Sequence, residues 1–393
     1  MKKAKKILSL VLVLLILVSV NNSVFAANET IITEQELKNA CEKYAQVWIN
    51  GMKEDKSSYY SVKESIEVTD INDMPYGYCV VMQKDGVQNG YVMVNPYNIN
   101  NYVSEYALTG EGLYNSIEKS NDKQTNSNTN LVRNYLTKGF IKKQKKLVKI
   151  GDFEYVTENN DIFSKSYLSE HGEVSKQELK SEFRSLKESS YTDASYVNVF
   201  KAIIDAASVG TQSSDRYAVK GYDIRLFGSN DINSSSGKYN CGCLAASNIM
   251  YYYKMSRGKG NLLVDSNLYR TYEQLWTKMN VYWNSNSKEY SVNVDNAISG
   301  IKSYVKSRGY NCITKRVDNW NGIKQEINAN KPLYWRFTAA ENAGHAVYAA
   351  GYVANTSGKQ YIRVADGWNT YYRFFRYSDA TYESRFGYSI SVS

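Results

Sequence analysis

The sequence predicts an α+β protein in two parts, the larger C-terminal part packing helices on an antiparallel sheet. Three observations carry this. In residues 215–393, helix-like segments come first and apolar strand-like segments then follow in quick succession, the order expected when helices and an antiparallel sheet segregate. In residues 34–52, Leu37, Ala40, Cys41, Tyr44, Ala45 and Trp48 recur at helical spacing, and strand-like runs follow directly, which marks a small α+β unit of its own. Between the two lies a polar stretch, and its segment 120–130 has the composition of a linker.

The chain has 393 residues, enough for two or three domains, with ordinary hydrophobic (43%) and charged (22%) fractions that allow a sizeable core. With only three prolines, a Pro-rich linker is excluded. The 36 tyrosines fit strand-forming, half-buried surface. Residues 215–393 hold 23 Lys and Arg against 13 Asp and Glu, whereas 27–214 hold 21 against 26. This asymmetry is either scatter or complementarity between an acidic N-terminal region and a basic C-terminal one. The basic residues are not clustered with aromatics, so no nucleic-acid partner is expected.

The N-terminus speaks to export. Lys2, Lys3, Lys5 and Lys6 form a positive head, an apolar run covers 7–20, and Val24 and Ala26 supply the small residues of a cleavage site. This is the layout of a secretory signal, with the mature chain starting at Ala27. The apolar run is shorter than the ~20 residues of a bilayer span, so no stable membrane span is expected after cleavage. The expected organisation is a signal peptide at 1–26, an α+β unit at 27–115, a linker and maturation region at 116–214, and the main domain at 215–393. There are five cysteines, an odd and sparse set for an exported protein, so at least one thiol stays unpaired within a monomer.

The elements follow in order. A helix is expected over 34–52, then strands over 76–83 and 90–94 joined through Lys84-Asp85-Gly86, and a third strand over 102–108. A short strand pair is expected within 147–156 and a helix over 197–207. Helices are expected over 241–253, 294–306 and 320–328, then strands over 333–338, 346–352, 360–365 and 371–377.

Chemistry concentrates in Asn240-Cys241-Gly242-Cys243-Leu244-Ala245-Ala246, where a helix opens after a Ser-rich turn. A thiol at a helix N-terminus sits at the positive end of the dipole, which favours the thiolate that a nucleophile needs. Gly242 permits close backbone approach. Cys243 is the alternative nucleophile. Of the two histidines, His171 lies in a polar Ser-Glu-His-Gly turn and is not expected to act, so a Cys–His mechanism in the C-terminal domain must use His345. His345 begins an apolar strand after Gly344. On the next strand, Asp366 is expected to accept the imidazole Nδ1–H through its carboxylate, with Trp368 covering that bond. The alternative for Asp366-Gly367 is a plain strand-end turn.

These motifs resemble papain-like cysteine peptidases, nearest to the streptopain group and to relatives of bacteriocin-leader-processing peptidases. The carriers are Cys241-Gly242 with Ala245, Gly344-His345-Ala346-Val347 with Gly351-Tyr352, and Asp366-Gly367-Trp368, over residues 220–380. Cys243 and Leu244 stand where many relatives have Pro and Thr. Ser235 stands where the oxyanion Gln is usual, and Asn233 is the candidate substitute donor. Tyr76-Gly77-Tyr78-Cys79-Val80-Val81-Met82 and Gly90-Tyr91-Val92-Met93-Val94 resemble the inhibitory pro-region of streptopain-like precursors. The resemblance implies a papain-like domain, with a central helix packed on an antiparallel sheet, preceded by a small α+β pro-domain. It implies a secreted, extracellular bacterial thiol protease made as a zymogen, with Cys241, His345 and Asp366 as catalytic residues and its own pro-domain as intramolecular inhibitor. Polypeptides are the expected substrates, with no cofactor and no metal. The alternatives are a secreted thiol amidase acting on cell-wall peptides and an inactive papain-like binding protein.

Overall fold

The computed structural model describes residues 33–98, 102–117, 145–150, 155–159, 162–164, 173–175, 213–232, 239–285, 289–338, 344–355, 358–377 and 384–393. The expected signal segment, the helix expected over 197–207, His171 and Asn233 lie outside these residues. Among the described residues, no helix is long and apolar enough to cross a membrane.

The fold is mixed α+β. In the N-terminal unit, α1 (Glu34–Met52) opens on a capping box in which Thr33 and Glu36 each bond the other's backbone N–H. Its apolar stripe, Leu37 to Met52, is buried on strands β1 (Tyr60–Asp70), β2 (Pro75–Lys84), β3 (Val87–Val94) and β4 (Val103–Ala107). The β2–β3 hairpin turns at Asp85 and Gly86, both with positive φ, as a two-residue hairpin turn requires. Short strands β5 (Lys146–Lys149), β6 (Tyr155–Asn159), β7 (Ile162–Ser164) and β8 (Glu173–Ser175) extend this side of the sheet.

The C-terminal unit is built round helix α2 (Cys241–Arg257). Asn240 caps its start by accepting the Cys243 N–H at 3.0 Å, and Gly258, at φ 66°, ends it. Eleven of its residues are buried, including Leu244, Ile249 and Met250, and each such side chain contributes about 1.5–3 kcal/mol by leaving water. Helices α3 (Leu268–Lys278) and α4 (Val294–Ser307) flank it, capped by Asn267 and Asn293. A small hairpin, β10 (Tyr282–Asn284) and β11 (Glu289–Ser291), lies between those two helices in sequence. Strand β9 (Ser213–Ala218) precedes α2, and β12 (Cys312–Val317) and α5 (Trp320–Asn328) follow α4.

The last strands are β13 (Leu333–Thr338), β14 (Gly344–Asn355), β15 (Gln360–Ala365), β16 (Arg373–Arg376) and β17 (Ser384–Val392). Among the described residues, fifteen strands form one sheet, in the order β12-β17-β13-β14-β15-β16-β4-β3-β2-β1-β5-β6-β7-β8 with β9 also on β14. Its pairs are antiparallel except β1 with β5. The two units therefore share a sheet through β4 and β16, where Tyr106 lies opposite Phe374 and Glu105 opposite Phe375. The sheet carries two main cores, one under α1 and one under α2. Nine of the described strands and helices escaped the sequence pattern: β1, β7, β8, β9, α3, β10, β11, β12 and β17.

Candidate active site

Helix α2 presents its N-terminus to strand β14. Gly242 is needed at that contact: an added Cβ would fall 2.5 Å from the Tyr334 hydroxyl and 2.9 Å from Val292 Cγ1. The Asn240 side chain also donates to the Tyr290 carbonyl at 2.7 Å, which pins the start of the helix to β11.

The first residue of α2, Cys241, is half-buried, and the backbone N–H groups of Ala346 and Gly242 act on its sulfur in the sense that favours the thiolate. Ala346 follows His345 directly on β14, so the nucleophile candidate and the imidazole-bearing strand meet. Burial raises the Cys241 thiol above its ordinary value, most of all. The Ala346 N–H and the Arg336 guanidinium oppose that rise, while Glu289 adds to it. Cys243 points the other way. It is fully buried, with its sulfur 3.8 Å from the Met279 sulfur, a core position closed to substrate. All five cysteines are free thiols.

His345 is partly buried, and its imidazole stacks on Trp368, with centroids 4.1 Å apart and planes 13° from parallel. Burial lowers its pKa to about 4, with Arg373 lowering it further and Asp366 opposing. Its Nε2 lies 2.8 Å from the carbonyl oxygen of Asp366. A carbonyl only accepts, so Nε2 carries the proton and Nδ1 is the basic nitrogen of the neutral ring.

This corrects the expected contact in two respects: the ring nitrogen is Nε2 rather than Nδ1, and the acceptor is the Asp366 main chain rather than its carboxylate. The reason is the turn after β15. Gly367, at φ 84°, reverses the chain, and the Asp366 carboxylate folds back to accept the N–H groups of Trp368 and Asn369, each at 2.9 Å, and the Asn369 amide at 2.7 Å. Its remaining capacity goes to Arg373 Nη1 at 2.6 Å. The turn also approaches α2: an added Cβ on Gly367 would lie 3.1 Å from Leu244 Cδ2.

His345, Asp366 and Trp368 are in direct contact, and Cys241, at the start of α2, meets the same strand beside Ala346, whereas Asn233 lies outside the described residues. Residues the sequence reading did not single out complete the surroundings: Asn240, Arg336, Asn369 and, behind Asp366, Arg373. A strand reading Arg-Phe-Phe-Arg, with its first arginine among aromatics, was the available signal for Arg373. Among the described residues, no group of three or more His, Cys, Asp or Glu could hold a metal ion.

No curated protein matches the chain. Residues 223–390, which span Cys241, His345, Asp366 and Trp368, match the Peptidase_C39 like family, and this supports a papain-like cysteine peptidase family for the C-terminal unit.

Proposed function

We propose that the chain is an exported cysteine endopeptidase, made as a precursor and cut within 116–214. The observation that carries the peptidase reading is the position of Cys241 as the first residue of a helix that packs against β14, the strand bearing His345. The family match over 223–390 supports the same activity. Export rests on the layout of residues 1–26, and precursor processing on the polar composition of 116–214 between two compact units.

In this reading His345 Nδ1 takes the Cys241 proton as the sulfur attacks the peptide carbonyl. The imidazolium returns that proton to the leaving amine, which departs and leaves a thioester. Water, deprotonated by the same nitrogen, then hydrolyses the thioester and regenerates the thiol. The backbone N–H of Cys241, at the first position of α2, has no helical carbonyl to bond and supplies an oxyanion donor. Asp366 holds the His345 ring through its carbonyl, and Trp368 covers one ring face.

The test is Cys241→Ala in the full chain, assayed on a denatured polypeptide and on purified cell wall. Loss of polypeptide cleavage with an unchanged circular dichroism spectrum is expected. Undiminished cleavage by the variant refutes the assignment, and activity confined to cell wall moves it to a thiol amidase.

A further inference from the structure

The β4–β16 seam carries charge to the histidine. Arg373, at the start of β16, is wholly buried and donates in three directions. Its Nη2 bonds both oxygens of Glu105 on β4, at 2.8 and 2.7 Å, its Nε bonds the Tyr91 hydroxyl on β3 at 2.9 Å, and its Nη1 bonds Asp366 at 2.6 Å. Tyr91 in turn donates to Glu105 at 2.6 Å. Asp366 is the residue whose carbonyl receives His345 Nε2. Only Arg373 and Asp366 separate a carboxylate of the N-terminal unit from the imidazole.

Packing seals this path. Tyr106 stacks on Phe374 at 4.6 Å, Trp48 of α1 meets the edge of Tyr361 at 5.6 Å, and the Tyr361 hydroxyl donates to the Val103 carbonyl at 2.9 Å. Arg363 pairs with Glu54 across the same boundary. A detached C-terminal unit would bare the β16 edge, expose Tyr361 and Phe374, and take from Arg373 the Glu105 carboxylate that both its Nη2 bonds reach. A buried guanidinium stripped of a partner is strongly unfavourable. A transient inhibitor needs none of this continuity.

We propose that the N-terminal unit stays in the active enzyme, and that Glu105 is a positioning residue that fixes His345 through Arg373 and Asp366. The inference rests on the Cys241–His345 reading. It runs against an inhibitory pro-region, whose departure would raise activity.

The experiment uses the full chain with a site-specific protease sequence inserted between residues 195 and 212. After cutting, the two fragments are expected to co-elute on size exclusion, with kcat/KM within about twofold of the uncut chain. In the uncut chain, Glu105→Gln is expected to lower kcat by about 10- to 100-fold with KM little changed, because the ring is misplaced rather than substrate binding lost. Glu105→Asp, which keeps the charge, is expected to retain more activity than Glu105→Gln. The proposal is overturned if the N-terminal fragment elutes alone and the freed C-terminal fragment is as active or more so. It is also overturned if Glu105→Gln keeps the wild-type kcat, or if Glu105→Asp is the poorer variant. Should Glu105→Gln fail to fold, the cut chain decides. Polypeptide cleavage that survives Cys241→Ala would instead sink the catalytic reading, leaving co-elution as a separate result.

Discussion

Replacing Arg373 with Met removes one guanidinium and leaves two carboxylates in its place. The side chains of Arg373 and Asp366 are 0% exposed and that of Glu105 is 2% exposed, so water cannot take over the lost bonds. Four donor contacts between 2.6 and 2.9 Å disappear together. Breaking one buried ion pair by deleting a partner costs about 3–5 kcal/mol, and Met fills most of the volume, so cavity terms add little. At ~2–4 °C per kcal/mol, the melting temperature should fall by roughly 6–20 °C. The assay is a double-mutant cycle of Arg373→Met and Glu105→Gln, followed by thermal and urea unfolding. Because the two side chains are in direct contact, the double variant should be more stable than the summed single losses allow, by about 1–3 kcal/mol. An Arg373→Met protein melting within ~2 °C of wild type, or strictly additive losses, would refute the claim that these groups form one buried unit.

Two further outcomes follow from the site. The pKa of His345 is about 4 in the fold against an ordinary 6.5, so the unfolded chain binds this proton more readily between those values. Its contribution to stability is then complete above pH ~6.5 and is lost as pH falls through about 4, a change of about 3 kcal/mol. The difference between wild type and His345→Gln in urea midpoint should therefore shrink or reverse between pH 7 and pH 4.5, and an unchanged difference would contradict the buried neutral ring. Gly242→Ala would press a methyl against Tyr334, itself fully buried, and should cost about 1–3 kcal/mol while displacing Cys241 enough to cut kcat severalfold. Wild-type kinetics and melting in that variant would show that the helix start has more room than its 2.5 Å approach implies.

Local pattern made several elements legible to the residue. The limits expected for α1, α5, β13 and β15 coincide with those observed, because each combines a clear period with a clean stop. Strand β1 was missed because Lys63, Glu64, Ser65 and Glu67 interrupt its apolar residues, so it reads as loop until β2 and β5 flank it. Helix α3 does carry a stripe at helical spacing, Leu268, Tyr272, Leu275 and Trp276, which the sequence expectation overlooked among its polar neighbours. The β4–β16 seam leaves no local trace at all: Glu105 and Arg373 are 268 positions apart, and nothing near either specifies the other. At the site, residue types were readable but atoms were not. Asp366 was found from its neighbours, yet whether its carboxylate or carbonyl faces the ring depends on the turn at Gly367 and on Arg373 behind it.

That choice of atom changes the chemistry expected of the pair. A carboxylate on the imidazole would favour the charged ring directly and hold a preformed thiolate–imidazolium pair. A carbonyl is a neutral acceptor, and the nearby Asp366 carboxylate is bonded to a cation whose own charge works against the imidazolium. Burial, with a smaller push from Arg373, holds the ring's pKa down to about 4 against the Asp366 charge and carbonyl, while burial pushes the Cys241 thiol up, and both shifts favour the neutral pair before substrate binds. Activation must then come with the attack itself, as the proton leaves sulfur for Nδ1 while the carbonyl of Asp366 keeps the ring aimed. Under that mechanism the electrostatic balance behind Asp366 matters as much as the reacting pair, because Glu105 and Asp366 together offset the Arg373 charge. The N-terminal unit then tunes the base as well as holding it in place.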